Sequence, residues 1–243
     1  MTIANWLAKA EAQLNKAGSA SPRLDAQLLL ADALGKEKVW LLGHDNETLA
    51  EVAAKAAHNN LTRRLKREPM AYIRGRQAFY GRDFIVDQRV LIPRPETETI
   101  ITTLARLDPK PNDILIDVGT GSGCIAITAK LEHPELRVYG LDVSRAALKV
   151  AQQNARKLRA DITFGQANVL QSTALPSSVA FITANLPYVD SSWSVSAEIG
   201  FEPPLALFAK EGGLALIFEL IAQAQCRLHS QGQLLLEAGP RQH

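Results

Sequence analysis

The feature that most constrains this chain is a glycine-rich turn set directly after an apolar run. Ile114 to Val118 carry Asp117 near their end, then come Gly119, Thr120, Gly121, Ser122 and Gly123, then a helical stretch from Ile125 to Leu131. In an open parallel sheet, ligands sit at the carboxyl ends of strands, and glycines there let the backbone approach closely. An ordinary tight turn uses the same residues, so the turn needs support from elsewhere in the chain. Four more apolar runs supply it: Val138 to Leu141, Ile162 to Phe164, Phe181 to Ala184 and Leu234 to Leu236. They alternate with helical stretches at Ala146 to Leu158 and Leu214 to Leu228, which predicts an α/β fold with a doubly wound, Rossmann-like parallel sheet.

The glycine spacing bears on the ligand. A dinucleotide fingerprint wants its third glycine where Cys124 stands, whereas glycines at 119, 121 and 123 suit the adenosyl and methionine parts of S-adenosylmethionine. We therefore read Gly119, Thr120, Gly121, Ser122 and Gly123 as a cradle for that cofactor. Asp142 ends the next strand, 23 residues after Gly119. A carboxylate there accepts from both ribose hydroxyls, or else caps the helix that begins near Ser144. Asn168 and Val169, after the third strand, are placed to frame the adenine, the first by its side-chain amide and the second by its backbone and apolar body.

Asn185, Leu186, Pro187 and Tyr188 follow the fourth strand. Asn-x-Pro-aromatic at this point marks methyltransferases that act on conjugated nitrogens, although an Asn-x-Pro can also simply turn the chain. An amide nitrogen has a delocalised lone pair and attacks a sulfonium methyl poorly unless acceptors on its N–H bonds steer that lone pair. In this reading the Asn185 side-chain oxygen accepts one N–H and the Leu186 carbonyl accepts the other. Pro187 fixes φ and holds Leu186 extended. Tyr188 stacks on the planar group. These four are the expected catalytic and substrate-binding residues, and Asn185 is also expected to lie against the cofactor.

Upstream, Ile3, Trp6, Leu7, Ala10 and Leu14 recur at helical spacing, Ser21 and Pro22 start a second helix, and an Ala-rich run spans Glu51 to Leu65. Residues 1 to 70 thus read as a small helical bundle. Residues 71 to 95 read as a hairpin linker, with Phe79, Tyr80, Phe84, Ile85, Val86, Val90 and Leu91 before Pro93 and Pro95 stop it. Residues 96 to 243 form the sheet domain. Residues 63 to 94 hold nine Lys or Arg against three Asp or Glu, either a solvated helical face or a docking surface for RNA or an acidic protein.

Further segments carry a resemblance. Leu91, Ile92, Pro93, Arg94, Pro95, Glu96, Thr97 and Glu98 are the most specific. Glu68, Pro69, Ala71, Tyr72, Ile73 and Gly75 lie upstream, and Leu24, Asp25, Ala26, Leu28 and Leu29 lie near the start. Phe201, Glu202, Pro203, Ala206 and Leu207 lie beyond the Asn185 motif. On these the chain resembles the peptide chain release factor N5-glutamine methyltransferase family. The resemblance implies that the N-terminal helices dock a release factor and that Asn185 to Tyr188 bind the Gln of its Gly-Gly-Gln motif. Members usually have Pro where Leu186 stands and often Asp where Asn168 stands. They also continue past the last strand with a helix and hairpin, where here only Glu237 to His243 follow, so the sheet is expected to keep an open edge unless a partner covers it.

Rival readings are an rRNA adenine N6-methyltransferase, a ribosomal-protein glutamine methyltransferase, and a non-catalytic scaffold that keeps the cofactor pocket. Two cysteines and five scattered histidines argue against a metal site or disulfide framework. A net charge of +2 gives no reason of its own to expect direct nucleic-acid binding. No apolar run approaches a membrane span, and no signal peptide is evident, so a cytoplasmic protein is expected.

Overall fold

The computed structural model describes residues 1–171, 175–190 and 192–239. It divides into two compact units, Met1–Gly75 with Ser196–Phe201, and Arg76–Val195 with Glu202–His243. Pro240 to His243, part of the expected short C-terminus, lie outside the described residues.

The first unit contains α1 (Ile3–Lys16), α2 (Pro22–Leu34), α3 (Glu51–Leu65) and the short α4 (Met70–Arg74). The Thr2 hydroxyl accepts from the Asn5 N–H to cap α1, and Pro22 opens α2, where its missing N–H costs no bond. Gly35 closes α2 at φ 64, a left-handed conformation that favours glycine. Ile3, Trp6, Leu14, Leu29, Leu30, Ala57 and Leu61 form the core. α4 is a departure from the sequence reading, which started the hairpin linker at residue 71. Pro69 and the left-handed Gly75 bracket a single helical turn that buries Tyr72 and Ile73. Aromatic and β-branched content misled there because burial, not strand pairing, was what selected those residues.

Arg64 is the polar centre of this unit. At 7% exposure its guanidinium bonds Asp25 at 2.8 Å, Glu198 at 3.2 Å and the Glu68 carbonyl at 3.1 Å. Asp25 also accepts from the Ser19 and Ser21 hydroxyls. Ser21 thus spends its side chain on this network instead of on a helix cap.

The second unit opens with an antiparallel hairpin, β1 (Arg76–Phe79) and β2 (Arg82–Ile85), turned by Tyr80 and Gly81 at φ 47 and 71. Phe79 and Phe84 bury their rings edge to face, with centroids 6.0 Å apart. A one-turn 3-10 helix, Pro95–Thr97, leads into α5 (Glu98–Arg106). Strands and helices then alternate: β3 (Ile114–Val118), α6 (Cys124–Glu132), β4 (Arg137–Asp142), α7 (Arg145–Leu158), β5 (Thr163–Gln166) and β6 (Val179–Ala184). The short α8 (Pro204–Leu207), α9 (Ala215–Ala224) and β7 (Leu228–Leu236) complete the order.

All pairings in the sheet are parallel, in the order β5-β4-β3-β6-β7, so the fold is the Rossmann-like α/β sheet read from the sequence. β6 is buried along its whole length, as a strand covered on both faces must be. α9 is shorter than the sequence suggested. It ends at Ala224, and β7 begins at Leu228, where apolar content alone does not separate helix from strand. β7 occupies an edge of this sheet.

Candidate active site

Register brings the candidate residues together. Val118 of β3 pairs with Leu141 of β4 and with Ala184 of β6, while Asp142 pairs with Gln166 of β5. The segments that follow therefore leave the sheet side by side at its carboxyl edge. From β3 the chain proceeds to β4 and β5 on one side, and later to β6 and β7 on the other, so the crevice of a doubly wound sheet falls between β3 and β6. A cavity of about 220 Å³ lies there. Its wall includes Gly119, Thr120, Gly121, Ser122, Asp142, Asn168, Val169, Asn185, Leu186 and Pro187.

The glycines do different jobs. Gly119 has φ 70, and a Cβ on it would fall 2.9 Å from the Leu186 side chain, so the loop and the Asn185 motif touch only because that atom is missing. Gly121 donates its N–H to Asp142 Oδ2 at 2.9 Å. Gly123 is not in the cavity wall, contrary to its expected place in the cradle. A Cβ there would meet Ile127 at 2.8 Å and Ala151 at 3.2 Å, so this glycine serves the close packing of α6 against α7. Cys124 follows it in the wall, and burial pushes its thiol up to about 12, which keeps it protonated and inert.

Asp142 is a bracket between two loops. One oxygen takes the Gly121 N–H, and the other takes the Ser144 N–H at 2.8 Å. The helix cap is Ser144 itself, whose Oγ accepts from the Ala147 N–H. Burial raises the Asp142 pKa, and the two backbone N–H bonds oppose that rise. A carboxylate offers about four lone-pair directions, so two remain for a ligand.

Asn168 donates its side-chain N–H to Glu219 of α9 at 3.3 Å, and among the described residues its side-chain oxygen accepts no hydrogen bond. Val169 is buried at φ 50, an unfavourable conformation for a β-branched residue. The following N–H, that of Leu170, is held by Gln223 Oε1 at 2.8 Å. Strain at the wall of a cavity is where a constraint on ligand shape would be expected to show.

Asn185 carries the sharpest feature. Its Nδ2 donates to Thr97 Oγ1 at 3.0 Å, while its Oδ1 is buried with no hydrogen-bond partner among the described residues. An unpaired buried acceptor costs about 1–3 kcal/mol, which is tolerable where a ligand fills it. Among the described residues the Leu186 carbonyl accepts no hydrogen bond. Tyr188, in contrast, is not in the cavity wall. Its phenol donates to Glu237 at 3.3 Å, and burial, then the Glu237 carboxylate, raises its pKa so that it stays protonated. Glu237 reaches it because its own N–H bonds the Ala184 carbonyl beside β6.

Three supporting residues escaped the sequence reading of the site. Thr97 was visible only as part of a motif. Asn154, fully buried on α7, accepts from the Ile85 N–H and donates to the carbonyls of Ile85 and Ser122, which ties β2 to the glycine loop. Its signal was a polar residue on the apolar stripe of Ala147, Val150 and Ala151. Glu202 accepts from the Ile92 N–H at 3.0 Å and pairs with Arg94.

In the basic stretch from 63 to 94 each of the eight arginines has a carboxylate partner. Arg63 pairs with Glu68, Arg64 with Asp25 and Glu198, Arg67 with Glu198, and Arg74 with Asp32. Arg76 pairs with Asp83, Arg82 with Glu132, Arg89 with Asp87, and Arg94 with Glu202. Among the described residues no group of three or more His, Cys, Asp or Glu is placed to hold a metal, and no helix is long and apolar enough to cross a membrane.

Comparison with known proteins bears on both units. The family model described as PrmC N-terminal domain matches residues 5–75, and that described as precorrin methyltransferase domain matches residues 96–187. The release factor glutamine methyltransferase of Koribacter versatilis is 37% identical over 243 residues, covering 98% of this chain and 87% of that protein. That of Enterococcus faecalis is 37% identical over 206 residues, covering 84% and 74%. That of Neisseria gonorrhoeae is 37% identical over 244 residues, covering 98% and 85%. Identity at this level, carried through the helical unit and the sheet unit alike, means that the chain belongs to the release factor glutamine methyltransferase family.

Proposed function

We propose that this protein transfers the methyl group of S-adenosylmethionine to the side-chain amide nitrogen of the Gln in a release factor's Gly-Gly-Gln motif. The observation that carries the proposal is the buried, unpartnered Asn185 Oδ1, set beside the glycine loop at the ends of adjacent strands. The names of the similar proteins supply the release factor as substrate. A cytoplasmic location belongs to the same proposal.

The residues present fit the cofactor. Gly119, Thr120, Gly121 and Ser122 line one wall without intervening side-chain bulk at the glycines. Asp142 holds two open lone-pair directions for ribose hydroxyls, and the Asn168 side-chain oxygen suits the amine of adenine. An Asp at 168 would offer the same acceptor with added charge, so Asn there conserves the hydrogen bond. When bound, the cofactor supplies an electrophilic sulfonium methyl.

Everything else is positioning by this chain. Asn185 Oδ1 accepts one N–H of the substrate amide and the Leu186 carbonyl accepts the other, which fixes the plane of the amide and turns its nitrogen toward the methyl group. Leu186 serves by its backbone, so the Pro usual at that position is dispensable for this role. Its side chain packs on Gly119 instead. Pro187 keeps the carbonyl's direction. The nitrogen becomes strongly acidic on gaining the methyl group, so its proton leaves without a dedicated base. Tyr188 enters only through a rearrangement that releases Glu237, or else it acts as the strut that holds the motif to β7. Because the arginines of 63 to 94 are individually balanced by carboxylates, they give little support to an RNA substrate.

The test is methyl transfer from radiolabelled cofactor to a release factor, to its Gly-Gly-Ala variant, and to ribosomal RNA. Label on the unaltered factor alone is expected. Label on RNA would replace this reading with the adenine one, and cofactor binding without any label would leave a scaffold.

A further inference from the structure

We infer that Thr97 is a positioning residue that braces the Asn185 amide when its acceptor end faces the substrate. The inference rests on the proposed amide methylation.

The two ends of an Asn amide are nearly equal in shape and opposite in chemistry, one an acceptor and the other a double donor. Methylating an amide nitrogen needs the acceptor inward, because a donor there would oppose the N–H it must hold. In the structure Nδ2 bonds Thr97 Oγ1 at 3.0 Å, and Oδ1 is left buried and unpartnered. Thr97 is 2% exposed and lines the same cavity, so water does not stand in readily for its hydroxyl. A hydroxyl can also donate, so Thr97 does not forbid the reversed amide. It instead gives an NH2 proton an acceptor when substrate selects the acceptor-inward form.

The placement of that hydroxyl is built by the segment before it. Glu202, 3% exposed, takes the Ile92 N–H on one oxygen and pairs the other with Arg94. Pro93 and Pro95 fix φ on either side of Arg94, and the Thr97 N–H closes the turn on the Arg94 carbonyl at 3.2 Å. A carboxylate beyond the Asn185 motif thus clamps the turn that presents Thr97 to it. This gives a physical reason for the run from Leu91 to Glu98, which carries no catalytic group of its own in the proposed mechanism.

The experiment compares the full chain with Thr97→Val, which keeps the shape and removes the hydroxyl, and Thr97→Ser, which keeps the hydroxyl. Thr97→Val is expected to lower kcat on the release factor by about 10- to 100-fold, with cofactor Kd within about twofold, and Thr97→Ser to recover most of the rate. The Asn185 side-chain NH2 signal, identified by its loss in Asn185→Ala, should shift and lose exchange protection in Thr97→Val and stay near wild type in Thr97→Ser. An undiminished kcat in Thr97→Val, or a Thr97→Ser as slow as Thr97→Val, overturns the inference. So does an unchanged NH2 signal, whatever the substrate. A wild-type protein that leaves the release factor unlabelled sinks the substrate assignment instead, and the NH2 signal still decides Thr97.

Discussion

The Arg64 cluster of the helical unit and the carboxyl edge of the sheet treat buried polar groups in opposite ways. In the first, Arg64 and Asp25 are almost fully covered and meet one another, Glu198, two serine hydroxyls and a backbone carbonyl. At the carboxyl edge of the sheet, Asn185 Oδ1 and Glu237 Oε2 are buried without hydrogen-bond partners among the described residues. The contrast separates polarity used to hold a fold from polarity that the proposed function would give to a ligand. A satisfied network rigidifies its surroundings, whereas unsatisfied groups cost stability where they stand.

Arg64→Ala should produce the largest effect, because it strips charge from a buried cluster and strands Asp25. The expected loss is about 3–5 kcal/mol in urea unfolding, and Asp25→Ala in the same chain should restore part of it. A loss below about 1 kcal/mol would break the comparison, for it would mean that the paired network contributes no more than an exposed ion pair.

Asp117 tests the other side. It is fully buried, with Oδ1 accepting from the Thr183 hydroxyl at 2.9 Å, and burial lifts its pKa from the ordinary 3.8 to about 7. The folded state therefore binds this proton more tightly than the unfolded chain. Its contribution is fully present below pH 3.8 and is lost as pH rises through about 7. Asp117→Asn keeps the shape and a group able to donate toward Thr120, and it cannot ionise. Its Tm relative to wild type should rise between about pH 4 and about pH 7 and level off above that. A constant difference across that range would show that Asp117 does not change its protonation there.

How much of this was legible depends on distance along the chain. The turn after β3, the parallel alternation, and the Asn185 motif were visible because strand, turn and helix signals are local. What brings them together is register, Val118 against both Leu141 and Ala184, which no local pattern carries. Gly123 shows the limit clearly: three glycines look alike in sequence, and only the packing of Ile127 and Ala151 against one of them assigns it to the fold. The pairing of the basic stretch was hidden for the same reason. Arg64 finds Asp25 at a separation of 39 residues and Glu198 at 134, so counting charges in a window could not reveal that they were balanced. Thr97 and Glu202 likewise meet their partners only through the tertiary structure.

The smallest effect sharpens the comparison by supplying its baseline. Arg76 and Asp83 pair across the hairpin at 3.3 Å with side chains 44% and 48% exposed. Water screens such a pair, and holding two long side chains in place costs entropy, so Arg76→Ala should destabilise by about 0.2–1 kcal/mol. The wild-type advantage should shrink further as salt is raised toward 1 M, since screening shortens the reach of exposed charges. Arg64→Ala should keep most of its effect under the same salt, because its partners are shielded from the solvent ions. If salt erases both effects equally, the two arginines belong to one class, and the division between a charge network that holds the fold and pairs that merely balance the surface fails.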